Sequence, residues 1–126
     1  MKRRALSLLA STLLLTPHAT MAAEPAPYRH VVIFGFKAGT PPAKIDEIAI
    51  AFKALSKSIP NVKSFDWGLN VSPEKINPDL THIFSLGFES KAALESGYLH
   101  HPEHEKFGAL LKPHLAKAVV VDYVAQ

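Results

Sequence analysis

Chemistry in this 126-residue chain is concentrated in one stretch. Tyr98-Leu99-His100-His101-Pro102-Glu103-His104-Glu105-Lys106-Phe107 places three of the seven histidines beside a tyrosine and a proline. Imidazole ionises closer to neutrality than any other unperturbed side chain, so such a cluster can transfer protons or hold a metal through neutral ring nitrogens. The spacing favours the proton. His100 and His104 stand i,i+4 and His101 and His104 stand i,i+3, but Pro102 interrupts the regular helix that would align them, and no third ligand is fixed. We therefore expect neither a metal site nor a cofactor. The plain structural alternative is a packing motif, with Pro102 shaping a bend and His101 or His104 capping a helix or bonding a carbonyl.

The elements that must position this stretch can be read from periodicity. His30 to Lys37 is a run of β-branched and aromatic residues and predicts a strand, with His30, Val32, Phe34 and Phe36 on one face and Val31, Ile33 and Gly35 on the other. Thr40 is expected as the N-cap and Pro41 as the first residue of a helix whose apolar stripe is Ile45, Ile48, Ala49, Phe52, Leu55 and Ile59. Phe52 on that stripe reads as core. A second strand is expected over Val62–Val71, with Phe65, Trp67, Leu69 and Val71 sharing a face, and a third over Thr81–Phe88, with His82, Phe84, Leu86 and Phe88 sharing one. Ser90 should cap a helix over Lys91–Leu99, Pro102 should start another over Glu103–Leu111, and Ala118–Val124 should be a last, largely apolar strand.

The order β-α-β-β-α-β predicts an α+β, ferredoxin-like fold: a four-stranded antiparallel sheet with helices on one face. Val31, Ile33, Val120 and Val124 are then expected to leave apolar side chains on the other face. Two copies packed sheet to sheet would cover them, so the expected partner is the chain itself, as a two-fold homodimer.

The N-terminus is read separately. Lys2-Arg3-Arg4, the apolar run Ala5 to Leu15, then Pro17 and the small residues Ala19, Ala22 and Ala23 have the order of a secretory leader. Residues 1–22 are expected to be cleaved after Ala22 or Ala23, leaving an extended lead-in at 23–29 and one domain at 30–126, exported to a periplasm or the exterior. The apolar run is too short to span a membrane, so the mature form is expected to have no membrane association. Of 14 Lys and Arg against 11 Asp and Glu, the leader takes three cations and no anion. The domain is thus near neutrality, without the basic cluster that nucleic-acid binding requires. With no cysteine, an exported fold rests on its core or on association rather than on disulfides.

These residues resemble the stress-responsive dimeric α/β-barrel (Dabb) family. The resemblance rests on His30 opening the first strand with Phe34 and Phe36-Lys37 after it, Ile59-Pro60, Trp67-Gly68-x-Asn70, Thr81-His82 and Phe88-Glu89-Ser90. It continues through Tyr98-x-x-His101-Pro102-x-His104-x-x-Phe107 and Asp122-Tyr123, and so spans nearly all of residues 28–124. It implies a ferredoxin-like fold that dimerises sheet to sheet into a barrel. One relative type is a plant polyketide cyclase that closes a ring by aldol condensation without metal or organic cofactor. Its working pair is similar to Tyr98 and His104, with pocket positions matching His30 and His82; where it has a second pocket tyrosine on the first helix, this chain has Phe52. The resemblance implies His104 as general base and Tyr98 as stabiliser of an enolate oxygen. His30, His82, His101, Phe52, Trp67 and Phe84 are the candidate residues for binding a small apolar or aromatic molecule. The rival expectation is a non-catalytic stress-response or scaffold protein whose oligomer is its function.

Overall fold

The computed structural model describes residues 26–126. The leader and residues 23–25 of the lead-in expected from the sequence lie outside the described residues. Strand β1 (Tyr28–Phe36) is followed by α1 (Pro42–Ser58), β2 (Ser64–Leu69), β3 (His82–Phe88), α2 (Lys91–Gly97), α3 (Pro102–Leu111) and β4 (Leu115–Val124). The four strands form one antiparallel sheet in the order β2-β3-β1-β4, which is the ferredoxin-like arrangement.

Local chemistry explains the boundaries, including those that differ from expectation. Helix α1 begins one residue later than predicted, with Pro41 as N-cap and no side-chain cap bond. The Thr40 hydroxyl instead donates to the Lys37 carbonyl at 2.8 Å, closing the turn in which Gly39 takes φ +81°, a left-handed conformation that glycine adopts without penalty. Ser90 caps α2 as expected, accepting from Ala93 N at 3.1 Å. Helix α2 ends at Gly97, and Pro102 opens α3 at the first-turn position where proline's missing N–H costs nothing. Strand β2 is shorter than predicted because pairing with β3 ends at Leu69, leaving Val71 in solvent. Strand β4 is longer, since it follows β1 past an irregularity at Gly35/Phe36.

The core lies between the sheet and the helices. From α1 and its C-cap it takes Ile48, Ala49, Phe52, Leu55 and Ile59, and from the sheet Val32, Phe34, Phe84, Leu86 and Phe88; Leu94, Tyr98, Phe107 and Leu111 close it from α2, α3 and their junction. Phe52 is its hub, stacked on Phe107 at 4.6 Å between ring centroids and tilted against Phe84 at 4.6 Å.

The register corrects the predicted faces of the last strand. Val32 is paired with Val120, His30 with Asp122 and Tyr28 with Val124, so Val120 and Val124 share the helix side with those partners. The open face carries Val31, Ile33 and Ile83 together with Val119, Val121 and Tyr123, of which Val121 and Tyr123 are each 51% exposed. An almost uniformly apolar strand contains no polarity signal to fix its parity. Here the parity is set by Asp122, which turns toward His30.

Candidate functional site

Strand β1, strand β4 and the corner between α2 and α3 converge at one end of the sheet. His30, near the start of β1, is buried, and its Nδ1 lies 2.6 Å from Asp122 Oδ1. The other carboxylate oxygen accepts from the Tyr28 hydroxyl at 3.1 Å. A carboxylate only accepts, so His30 Nδ1 carries the proton and, in the neutral ring, Nε2 carries the lone pair. The His30 ring meets Tyr98 at 5.8 Å and Phe88 at 6.5 Å, both edge to face.

Tyr98 sits directly after α2 and is 1% exposed. Its ring lies 4.6 Å from that of His104, which α3 returns to the core after the Pro102 bend. His104 Nδ1 is 3.1 Å from the Leu99 carbonyl. A carbonyl also only accepts, so Nδ1–H donates and Nε2 is left as the basic atom. The Tyr98 hydroxyl makes no hydrogen bond to any described group.

Protonation follows from these surroundings. Burial pushes His104 below its ordinary value, the Leu99 bond works in the opposite direction, and neighbouring His30 and His100 add to the lowering. Burial alone holds the Tyr98 phenol well above its ordinary value. Near neutrality the pair is therefore a neutral imidazole beside a protonated phenol, that is, a base next to a hydrogen-bond donor.

The remaining candidates lie elsewhere. His82 pairs with Phe34 across the strands whereas His30 pairs with Leu86, a separation of four residues or about 13 Å along the sheet. At that far end His82 stacks on half-exposed Trp67 with 7° between planes, meets Phe36 edge-on, and has Nδ1 2.8 Å from the Thr81 hydroxyl. Phe52 and Phe84 occupy the core between the two ends. His101 Nδ1 accepts from Glu103 N at 3.2 Å as the N-cap of α3, which commits that ring to the helix. His100 is exposed. The sheet thus places His30, Tyr98 and His104 together, puts His82 and Trp67 in a second cluster, and adds Asp122 and Tyr28, which sequence reasoning had not taken as site residues. The signal for Asp122 was its standing as the one charge within the apolar run Ala118–Val124. Among the described residues no group of three or more His, Cys, Asp or Glu is arranged to hold a metal ion, and no helix is long and apolar enough to cross a membrane.

Comparison with known proteins adds the lineage. The family model described as Stress responsive A/B Barrel Domain (Dabb) matches residues 28–125. The chain belongs to this family. Stress-response A/B barrel domain-containing protein HS1 of Arabidopsis thaliana is 39% identical over 97 residues, covering 77% of this chain and 88% of that protein. Olivetolic acid cyclase of Cannabis sativa is 28% identical over 95 residues, 75% of this chain and 93% of the cyclase. Among solved structures of this architecture, hydroxynitrile lyase from Passiflora edulis superposes with a TM-score of 0.72 at 25% identity, covering 82% of this chain and 96% of the lyase. A dimeric ferredoxin-like protein of unknown function from Jannaschia sp. CCS1 superposes with a TM-score of 0.66 at 25% identity, covering 76% and 96%.

Burial of His104 and His82 has a consequence for stability. Both folded-state pKa values are lowered, in each case first by desolvation, while in the unfolded chain a histidine ionises near about 6.5. Below that pH the unfolded state binds more protons, so stability is full above about pH 6.5 and is lost as pH falls through the lower folded values. The urea midpoint should therefore fall between about pH 7.5 and about pH 5, and the His82→Gln/His104→Gln double variant should show a flatter dependence. An unchanged slope in the double variant would assign the acid sensitivity to other groups.

Proposed function

We propose that the chain is an exported homodimer that binds a small, largely apolar or aromatic molecule and carries out cofactor-free acid–base chemistry on it, of the cyclase or lyase kind. The observation that carries this reading is the pairing of His104, held as its Nδ1–H tautomer by the Leu99 carbonyl, with the hydroxyl of buried Tyr98, which has no hydrogen-bond partner among the described residues. In such a step His104 Nε2 takes a proton from carbon beside a carbonyl, the Tyr98 hydroxyl donates to the developing enolate oxygen, and the proton is later returned from His104. His30, turned by Asp122, sets a second imidazole against the Tyr98 ring. A cyclase and a lyase among the similar proteins support this class of chemistry.

The homodimer is supported by dimeric neighbours and by the apolar open face of the sheet. Export rests on the N-terminal sequence pattern alone. Mass spectrometry of the protein recovered outside the cytoplasm should show an N-terminus at Ala23 or Glu24; an intact Met1 there would overturn it.

The reading is tested by proton exchange. The protein in D₂O should accelerate deuterium incorporation at the carbon beside the carbonyl of an alkyl aryl ketone, with amide shifts at Tyr98 and His104. No acceleration over buffer and no shift across a panel of such ketones would defeat it. The non-catalytic reading gains from one observation: the His104–Leu99 bond also clasps the corner between α2 and α3, a structural service that requires no substrate.

A further inference from the structure

A cleft of about 360 Å³ lies on the opposite side of α1 from the Glu103–Lys106 ion pair, where the end of α1, the connection after it and the edge strand β2 meet. Its floor is apolar, formed by Ile59, Val62 and Phe65, and Lys53, Lys57 and Lys63 stand around it. No carboxylate lines it. Among the described residues Lys53 and Lys57 have no ion-pair partner. Lys63 approaches only Glu89, at 3.9 Å with the Lys63 side chain about half exposed and the Glu89 side chain largely in solvent, an arrangement that neutralises little.

Lys53 and Lys57 are spaced i,i+4 on one helix face, where like charges repel and weaken the helix rather than support it. The helix C-terminus favours Lys57 but not the additional charges. Ammonium groups of one sign gathered over an apolar floor complement a molecule with the same division: an anionic head and a hydrocarbon body. We propose that this cleft binds a small amphiphilic carboxylate, its apolar body on Ile59, Val62 and Phe65 and its head group among Lys53, Lys57 and Lys63. The site is separate from the His104 cluster, so it stands whether or not that cluster is catalytic.

The test is a titration of the full chain with octanoate, read from backbone amide shifts. Saturable shifts are expected at Lys57, Val62 and Phe65. The Lys53→Gln/Lys57→Gln/Lys63→Gln triple variant, with an unchanged far-UV spectrum, should bind about tenfold more weakly, the size expected of three solvent-exposed ion pairs. Raising the salt concentration should weaken wild-type binding in the same direction. Octanol, with the same chain and no charge, should bind the wild type as weakly as octanoate binds the variant. Shifts confined to other parts of the fold, equal affinity for octanoate and octanol, or undiminished binding by the triple variant would each overturn the proposal. So would an acidic peptide saturating the same amides where octanoate does not.

Discussion

His104→Ala should slow wild-type-catalysed ketone proton exchange by about 10²–10⁴-fold, the contribution typical of a positioned general base. The imidazole is held by Leu99 at Nδ1 and faces Tyr98 across 4.6 Å, so its removal takes away the base while the fold loses one hydrogen bond at a helix corner. Tyr98→Phe keeps the buried ring and deletes only the hydroxyl, which should cost about 10²–10³-fold if that hydroxyl stabilises an oxyanion. Because the two groups serve one transition state, the double variant should lose less than the product of the single losses. His100→Ala, at an exposed neighbouring position whose charge is the smallest of the influences on His104, should change the rate far less than His104→Ala or Tyr98→Phe. Equal exchange rates in wild type and His104→Ala would return the histidine cluster to a structural role.

Val121→Asp and Ile33→Asp should each convert the dimer to monomer. Both side chains lie on the open face, and a two-fold interface buries each substituted carboxylate twice. An uncompensated buried charge costs about 3 kcal/mol or more. Two copies therefore weaken association by about four orders of magnitude. Val120→Asp provides the discriminating control. Adjacent in sequence and 57% exposed, Val120 lies on the helix side opposite Val32, so its charge should leave the dimer largely intact. Sedimentation velocity decides between these outcomes: a Val121→Asp dimer as stable as wild type, or a Val120→Asp variant that dissociates instead, would place the interface elsewhere.

The lysine-lined cleft and the His104 cluster make different demands on the chain. The cleft draws on residues contiguous over α1 and the start of β2, so it needs little beyond local structure. The His104 cluster joins residues from positions 28, 30, 98, 104 and 122, and exists only when β1 has paired with β4. Destabilisation of the edge strand β4 should therefore disturb the histidine cluster before the cleft.

The sequence by itself determined the alternation of strands and helices, the apolar stripe of α1, the cap at Ser90, the break at Pro102 and the Dabb membership. Apart from the family, whose motifs are spread over residues 28–124, each of these depends on residues within a few positions of one another, where periodicity and turn chemistry act directly. It also placed His30 and His82 on the helix-covered side, since alternation along a strand assigns a face. Alternation does not assign a distance, and only the pairing of β1 with β3 showed these two histidines to be about 13 Å apart along the sheet. The parity of β4 was undecidable for a related reason: a strand apolar on both faces fits the sheet equally well either way up. The tertiary structure decided it through a contact between residues 92 apart in the chain, the 2.6 Å approach of His30 to Asp122. That pairing turns Val120 and Val124 toward the helices with Asp122 and leaves Val119, Val121 and Tyr123 on the open face of the sheet.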